Sequence, residues 1–258
     1  MRFVLSFVAL WFSATAALAN ADIDRLVDAM GMPALVRAFS EEGIASSPEL
    51  DEAFLNGQGG AVFAETVRKL YDPARLEAEL RTGLYEVLDP DMARTALLFA
   101  ESDLGQRIVT LEVQGRQAML DADVQDMVKA AGDDAGAAVT DFLAARNLVE
   151  RNTEAAVVSQ VAFFDGLAET ITQSFPPPDI EGQRAMIAAD TERWLKGYYA
   201  LVQSALNADE IETYTAFWAT EVGTALDDAV FEVFGQSYEA ISYGLGQAVG
   251  RLVPPNEL

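Results

Sequence analysis

Cysteine and histidine are both absent from the 258 residues of this chain. Their absence removes whole classes of chemistry. No disulfide can form, even in an oxidising compartment that would permit one, so burial alone must hold the core together. No Ser-His-Asp or Cys-His nucleophile can be assembled. A zinc site of the Cys/His type is excluded. So are a bundle di-iron site built on Glu-x-x-His and a haem ligated through His or Cys. Positive charge is scarce as well: 17 Lys and Arg stand against 41 Asp and Glu, a net charge of −24. Nucleic acids and anionic head groups are bound through positive charge, so neither is an expected partner. The acidic surface reads first as solvation, with a cationic partner or cation buffering as the alternatives. Alternating β-branched runs, the mark of half-buried strands, are rare too.

Long apolar runs are missing with one exception. Arg2 is the only charged residue before Asp22, and Phe3 to Phe12 is apolar apart from Ser6. Ala17-Leu18-Ala19 follows. A basic start, a short apolar centre and a small-x-small site form the secretory pattern, and the run is shorter than the roughly 20 residues a membrane span needs. Residues 1–19 are therefore expected to be a signal peptide cleaved after Ala19, and the mature protein is expected in the periplasm without stable membrane insertion. Without Arg2 that mature chain carries 16 basic and 41 acidic residues, a net −25.

What remains is rich in Ala, Leu, Glu, Arg and Gln, all good helix formers. Turn signals at Gly31-Met32-Pro33, Asn56 to Gly60, Asp72-Pro73, Asp89-Pro90, Gly132-Asp133-Asp134 and Pro176-Pro177-Pro178 divide it. The pattern predicts helices near 22–30, 33–44, 48–56, 60–70, 73–88, 90–101, 103–130, 133–150, 153–174, 180–206, 208–219 and 221–252. Asp89 before Pro90 reads as an N-cap with proline in the first helical position, and Asn207 with Glu210 as a near capping box.

Both of those caps follow a leucine, and Leu88 and Leu206 stand 118 positions apart. The same offset pairs Asp91 with Asp209, Thr95 with Thr213, Phe99 with Phe217 and Gly105 with Gly223. The shared string is F-x-x-[ST]-[DE]-[LV]-G, running from Phe99 through Ser102 and Asp103 to Gly105, and from Phe217 through Thr220 and Glu221 to Gly223. An internal repeat is the natural reading. Ser102 and Thr220 are placed to cap a new helix, and Asp103 and Glu221 sit at its positive end. That acidic residue would repel an anion, which argues against an anion site. A first-turn glycine costs about 0.5–1 kcal/mol relative to alanine, so it should answer a need, here expected to be close approach of a neighbouring helix. The unit is an αα-hairpin with a short corner. The fold class is therefore all-α: a helical bundle of two similar halves, 20–132 and 133–258, each containing such hairpins, or one continuous domain made of both.

An aromatic residue, a spacer and Ser-Pro-x-Gly at a helix corner resembles the DUF 2059 family of exported bacterial helical domains. The match covers roughly 76–135 and, less fully, 194–250. Asp103 and Glu221 stand where that family tends to carry proline. The resemblance implies a periplasmic helical fold and no particular activity.

Other patterns carry less. Asp121, Asp123 and Asp126 with Asp133-Asp134 lack the glycine and final glutamate of a calcium loop and read as an acidic helix face. No catalytic, cofactor-binding or metal residue set emerges. Trp194, Tyr198, Tyr199, Tyr214, Phe217 and Trp218 recur at helical spacing and read as core, with a ligand groove between helices as the lesser alternative. The last helix is apolar on more than one face, through Phe231, Phe234, Tyr238, Ile241 and Leu245 on one side and Leu226, Val230 and Val233 on another. Such a helix is buried centrally or at a homodimer interface. The expected role is a non-enzymatic binding or envelope-maintenance module with an unnamed protein partner. A hydrolase working through carboxylates alone, or an acidic cation buffer, is the alternative.

Overall fold

Caps written in the sequence start most of the helices in the computed structural model, which describes residues 20–171 and 178–253. Helix α1 covers 20–29 and turns at Gly31, whose φ of +65° favours glycine, into α2 (Met32–Leu55). The chain continues through α3 (Gly60–Leu70), α4 (Pro73–Val87), α5 (Pro90–Ala100), α6 (Asp103–Ala118) and α7 (Ala122–Asp133). Next come α8 (Ala137–Ala145), α9 (Leu148–Thr170), α10 (Ile180–Gln203), α11 (Ala208–Trp218) and α12 (Glu221–Leu252). Every regular element among the described residues is a helix, so the fold class is all-α. No helix among them is long and apolar enough to cross a membrane. The expected signal peptide, and Pro176 and Pro177 of the expected proline loop, lie outside the described residues.

Asp72 and Asp89 accept the amide protons that begin α4 and α5, each with proline next in the chain. Asn207 and Glu210 close a full capping box on α11. Three boundaries differ from expectation, each for a local reason. Helices expected at 33–44 and 48–56 are one helix, α2, running through Pro48. Proline removes one donor from the helix ladder. Ser47 Oγ instead donates to the Ile44 carbonyl at 2.8 Å, the acceptor that Pro48 leaves without its usual amide. The helix expected at 103–130 is two, because Asp121 is an N-cap and no part of a helix face: its carboxylate accepts Asp123 N–H at 2.9 Å. The preceding Met119 carbonyl is taken up by Gln125 Nε2 at 2.7 Å. Finally, Asn147 adopts a left-handed conformation (φ 51°) that ends α8 and starts α9 at Leu148, so 133–150 and 153–174 are divided elsewhere than expected.

One core runs through the bundle. A single cluster of buried side chains includes Ile23 and Leu26 of α1, Leu80 and Leu84 of α4, Phe142 of α8 and Leu226 and Ile241 of α12. It crosses the expected boundary at 132/133. A second cluster, around Leu55, Phe63, Val67, Leu167 and Val249, ties α2 and α3 to the far ends of α9 and α12. Helix α12 packs chiefly on α9 and also touches α2, α3, α4, α5 and α11, which accounts for its several apolar faces. The α9–α12 crossing is unusually close. A Cβ on Gly166 would lie 2.1 Å from the Tyr243 carbonyl oxygen, and one on Gly246 would lie 1.9 Å from that of Phe163. The small pair Gly246 and Gly250 thus serves helix contact inside the bundle.

Candidate functional site

The two corners expected from the sequence meet through their phenylalanine rings. Ser102 Oγ accepts Gly105 N–H at 3.0 Å and donates to Phe99 O at 2.7 Å. Thr220 Oγ1 accepts Gly223 N–H at 3.0 Å and donates to Phe217 O at 2.6 Å. Asp103 and Glu221 occupy the first turn of α6 and α12. Phe99 and Phe217 stack on one another, ring centroids 4.1 Å apart and planes 10° apart. The glycines make room for close approach of a neighbouring helix, as expected, and that helix is the preceding one of the same hairpin. A Cβ on Gly105 would lie 2.0 Å from the Phe99 carbonyl oxygen, and one on Gly223 would lie 2.3 Å from that of Phe217. What approaches is the last turn of the preceding helix in the same hairpin, because the corner is so tight. This is a built joint. None of its eight residues lines any of the four cavities described below.

Behind the corners lies a buried polar network that sequence reading missed. Arg146 grips Asp227 with two bonds, Nε to Oδ2 at 2.9 Å and Nη2 to Oδ1 at 2.5 Å, with side chains 9% and 4% exposed. The guanidinium lies 3.8 Å over the Trp218 ring. Tyr214 donates its hydroxyl to Glu112 Oε1, and Tyr198 donates to the Glu112 backbone carbonyl at 2.9 Å. Burial pushes the Glu112 carboxyl above the ordinary carboxylate range, against the opposing pull of Arg146. Burial likewise pushes the Tyr214 phenol well above its usual value. Both carboxylates are spent on partners, and neither lines a groove. The arrangement holds helices α6, α8, α11 and α12 together.

The open site lies elsewhere, in a groove of about 710 Å³ between α9, α10 and α12. Its depth comes from small residues: Ala155, Ala156 and Ser159 on α9, and Gly235 on α12, where an added Cβ would meet nothing within 4 Å. Its walls are rings. Phe231, Phe234 and Tyr238 stand on α12, Trp194 on α10 and Phe39 on α2. Phe39 and Tyr238 lie 4.6 Å apart and tilted, and Trp194 stacks on Tyr198 at 5.4 Å. Arg116 of α6 sits 5.3 Å over Trp194 and pairs with Glu42 of α2. A polar cavity of about 550 Å³ adjoins the groove there and shares Arg116 and Trp194 with it. Glu42 Oε1 is buried at this end without a hydrogen-bond partner, and burial raises the Glu42 carboxyl above its usual range despite Arg116.

At the opposite end the groove passes over Gly235 into a cavity of about 510 Å³, sharing Ala155, Phe231 and Gly235 with it. Glu150 and Glu154 of α9 and Glu232 and Glu239 of α12 surround this mouth. Glu154 is paired with Arg184, and Arg151 is paired with Asp228 while lying 5.2 Å over Phe231. A fourth cavity of about 450 Å³, separate from these three, lies between α8 and α11. No cluster of three acidic side chains fit to hold a metal ion occurs among the described residues. The stripe of Phe231, Phe234 and Tyr238 was visible in the sequence as core. That it borders open space depends on the small residues opposite, on α9, which no local pattern connects to it. In comparisons with known proteins, no protein-family model matches this chain, and neither a curated protein nor a solved structure is similar to it.

Proposed function

We propose that this protein is a non-catalytic binding module of the periplasm whose α9–α10–α12 groove holds an apolar ligand face. The observation that carries the reading is the groove itself: about 710 Å³, walled by five aromatic side chains and floored by alanine, serine and glycine. Ligand sites generally fall between roughly 300 and 1,000 Å³ and are lined mainly by apolar and aromatic groups. Asp227 and Glu112 are committed to Arg146 and Tyr214, so that part of the polar interior is structural. An uncharged naphthylamine dye, bright only in apolar surroundings, tests the reading. One dye per chain is expected, with Trp194 emission changing in step. Dye that stays dark at all protein concentrations overturns it. The compartment rests on Arg2, the apolar run and Ala17-Leu18-Ala19. Mass spectrometry of the exported protein should find Asn20 as its first residue, and a retained Met1 would sink that part.

A further inference from the structure

The groove is elongated, and its two ends differ from its middle in charge. We infer that its occupant is a cationic amphipathic helix of a partner protein, an inference that rests on the groove being a binding site. Shape argues first. The middle cavity is continuous with its neighbours through shared residues at both ends. Phe231, Phe234 and Tyr238 of α12 and Ala155, Val158 and Ser159 of α9 are set three and four residues apart. Such rows form the ridges and grooves between which another helix packs. At Gly235 the floor offers bare α12 backbone, so an apolar side chain of an incoming helix can sit deep.

Charge decides the partner's chemistry. At the outer mouth Glu150, Glu232 and Glu239 are exposed, and none forms an ion pair among the described residues. Arg151, the one cation at that mouth, is already matched by Asp228. In the middle, Asp190 lies 4.0 Å from Arg193, and Lys129 forms no ion pair among the described residues, so the uncompensated carboxylates stand at the mouth and not along the floor. At the inner end Arg116 is matched by Glu42, whose second oxygen is buried and still lacks a donor. The outer mouth therefore offers uncompensated carboxylates, and the inner end a buried acceptor still lacking a donor, to whatever lies along the floor. The field of the whole chain, net −24, adds to this and opposes any anionic amphiphile. An apolar stripe bordered by Lys or Arg fits floor and ends at once.

The test uses the full mature chain and three synthetic peptides of equal length. One places Leu at helical spacing with Lys between, one replaces those Lys by Glu, and one keeps the Lys but replaces Leu by Ser. Fluorescence anisotropy at fixed ionic strength gives the affinities. The Leu/Lys peptide should bind at least about tenfold more tightly than either control, since it alone offers both area and charge. Gly235→Leu fills the floor without altering charge, and its Cβ meets no neighbour. It should weaken the Leu/Lys peptide by about tenfold or more, which general attraction to an acidic surface could not explain. The triple change Glu150→Gln, Glu232→Gln and Glu239→Gln should weaken it too. If the neutral dye binds but the Leu/Glu peptide equals the Leu/Lys peptide, this inference fails and the binding-site reading stands. If Gly235→Leu binds the Leu/Lys peptide as wild type does, the groove is not where the helix docks. If the dye does not bind at all, both readings fall.

Discussion

Three helical glycines with the same covalent structure have opposite expected responses to one added methyl group. At Gly105 and Gly223 a Cβ would run into a backbone carbonyl oxygen at 2.0 and 2.3 Å. Backbone cannot rotate away as a side chain can, so the corner must open. Gly105→Ala and Gly223→Ala should each cost about 1–3 kcal/mol by overpacking. Gly235→Ala meets nothing and should gain about 0.5–1 kcal/mol from helix propensity. Urea titrations of the three variants check this, and equal effects at all three sites would refute the geometry. Glu112 supplies a second test at this scale. Its folded-state value is raised above the ordinary 4.5 by burial, so the folded chain holds that proton more tightly than the unfolded chain. The group's contribution is fully present below the ordinary value and is lost as pH rises through the raised one. Glu112→Gln keeps an acceptor for Tyr214 and cannot ionise. Its stability relative to wild type should therefore improve between about pH 4 and pH 7. A difference that stays constant over that window would show that Glu112 is not held in its raised state.

Between elements, the same contact logic sets how closely helices cross. The α9–α12 crossing relies on Gly166 from one side and Gly246 from the other, each facing backbone carbonyl. Gly166→Ala and Gly246→Ala should each cost about 1–3 kcal/mol. The double variant should cost less than the sum, because one separation of the helices relieves both clashes. Strict additivity in thermal or urea melts would mean that the two glycines are not at one crossing. The helices themselves were largely legible. Asp72-Pro73, Asp89-Pro90, Asn207 and the paired Ser102 and Thr220 all speak through hydrogen bonds made within three residues, so local sequence encodes them. The same residues made the corners readable. Pro48 misled because its effect is cancelled by Ser47, and Asp121 misled because an aspartate on a helix face and an aspartate at an N-cap are spelled alike. A groove was legible only as the lesser alternative for the aromatic residues, and its position was not. It depends on Ala155 and Ser159 facing Phe231 and Gly235 across a long sequence gap, and the Arg146–Asp227 grip spans 81 positions. Such pairings exist only once the bundle is assembled.

For the whole molecule the governing quantity is charge. With 17 basic residues against 41 acidic ones, most carboxylates have no cation to pair with, however well the surface is arranged. Exposed pairs such as Arg25 with Glu101 and Arg75 with Glu79 are present. Each contributes at most about 1 kcal/mol and is weakened by salt. Opposing them is the mutual repulsion of the surplus carboxylates, which the compact state concentrates and salt also screens. The excess of 24 negative charges makes repulsion the larger effect. The buried Arg146–Asp227 pair takes little part, since buried charges are poorly screened. The melting temperature should therefore rise as sodium chloride increases from low concentration to about 0.15 M, where the screening length has fallen to about 8 Å. Sodium chloride is the right salt, because sulfate would also strengthen apolar burial and give a rise for another reason. Most of the gain should come before 0.15 M, where screening changes fastest. A midpoint that is flat or falls over this range would mean that the surface pairs outweigh the repulsion.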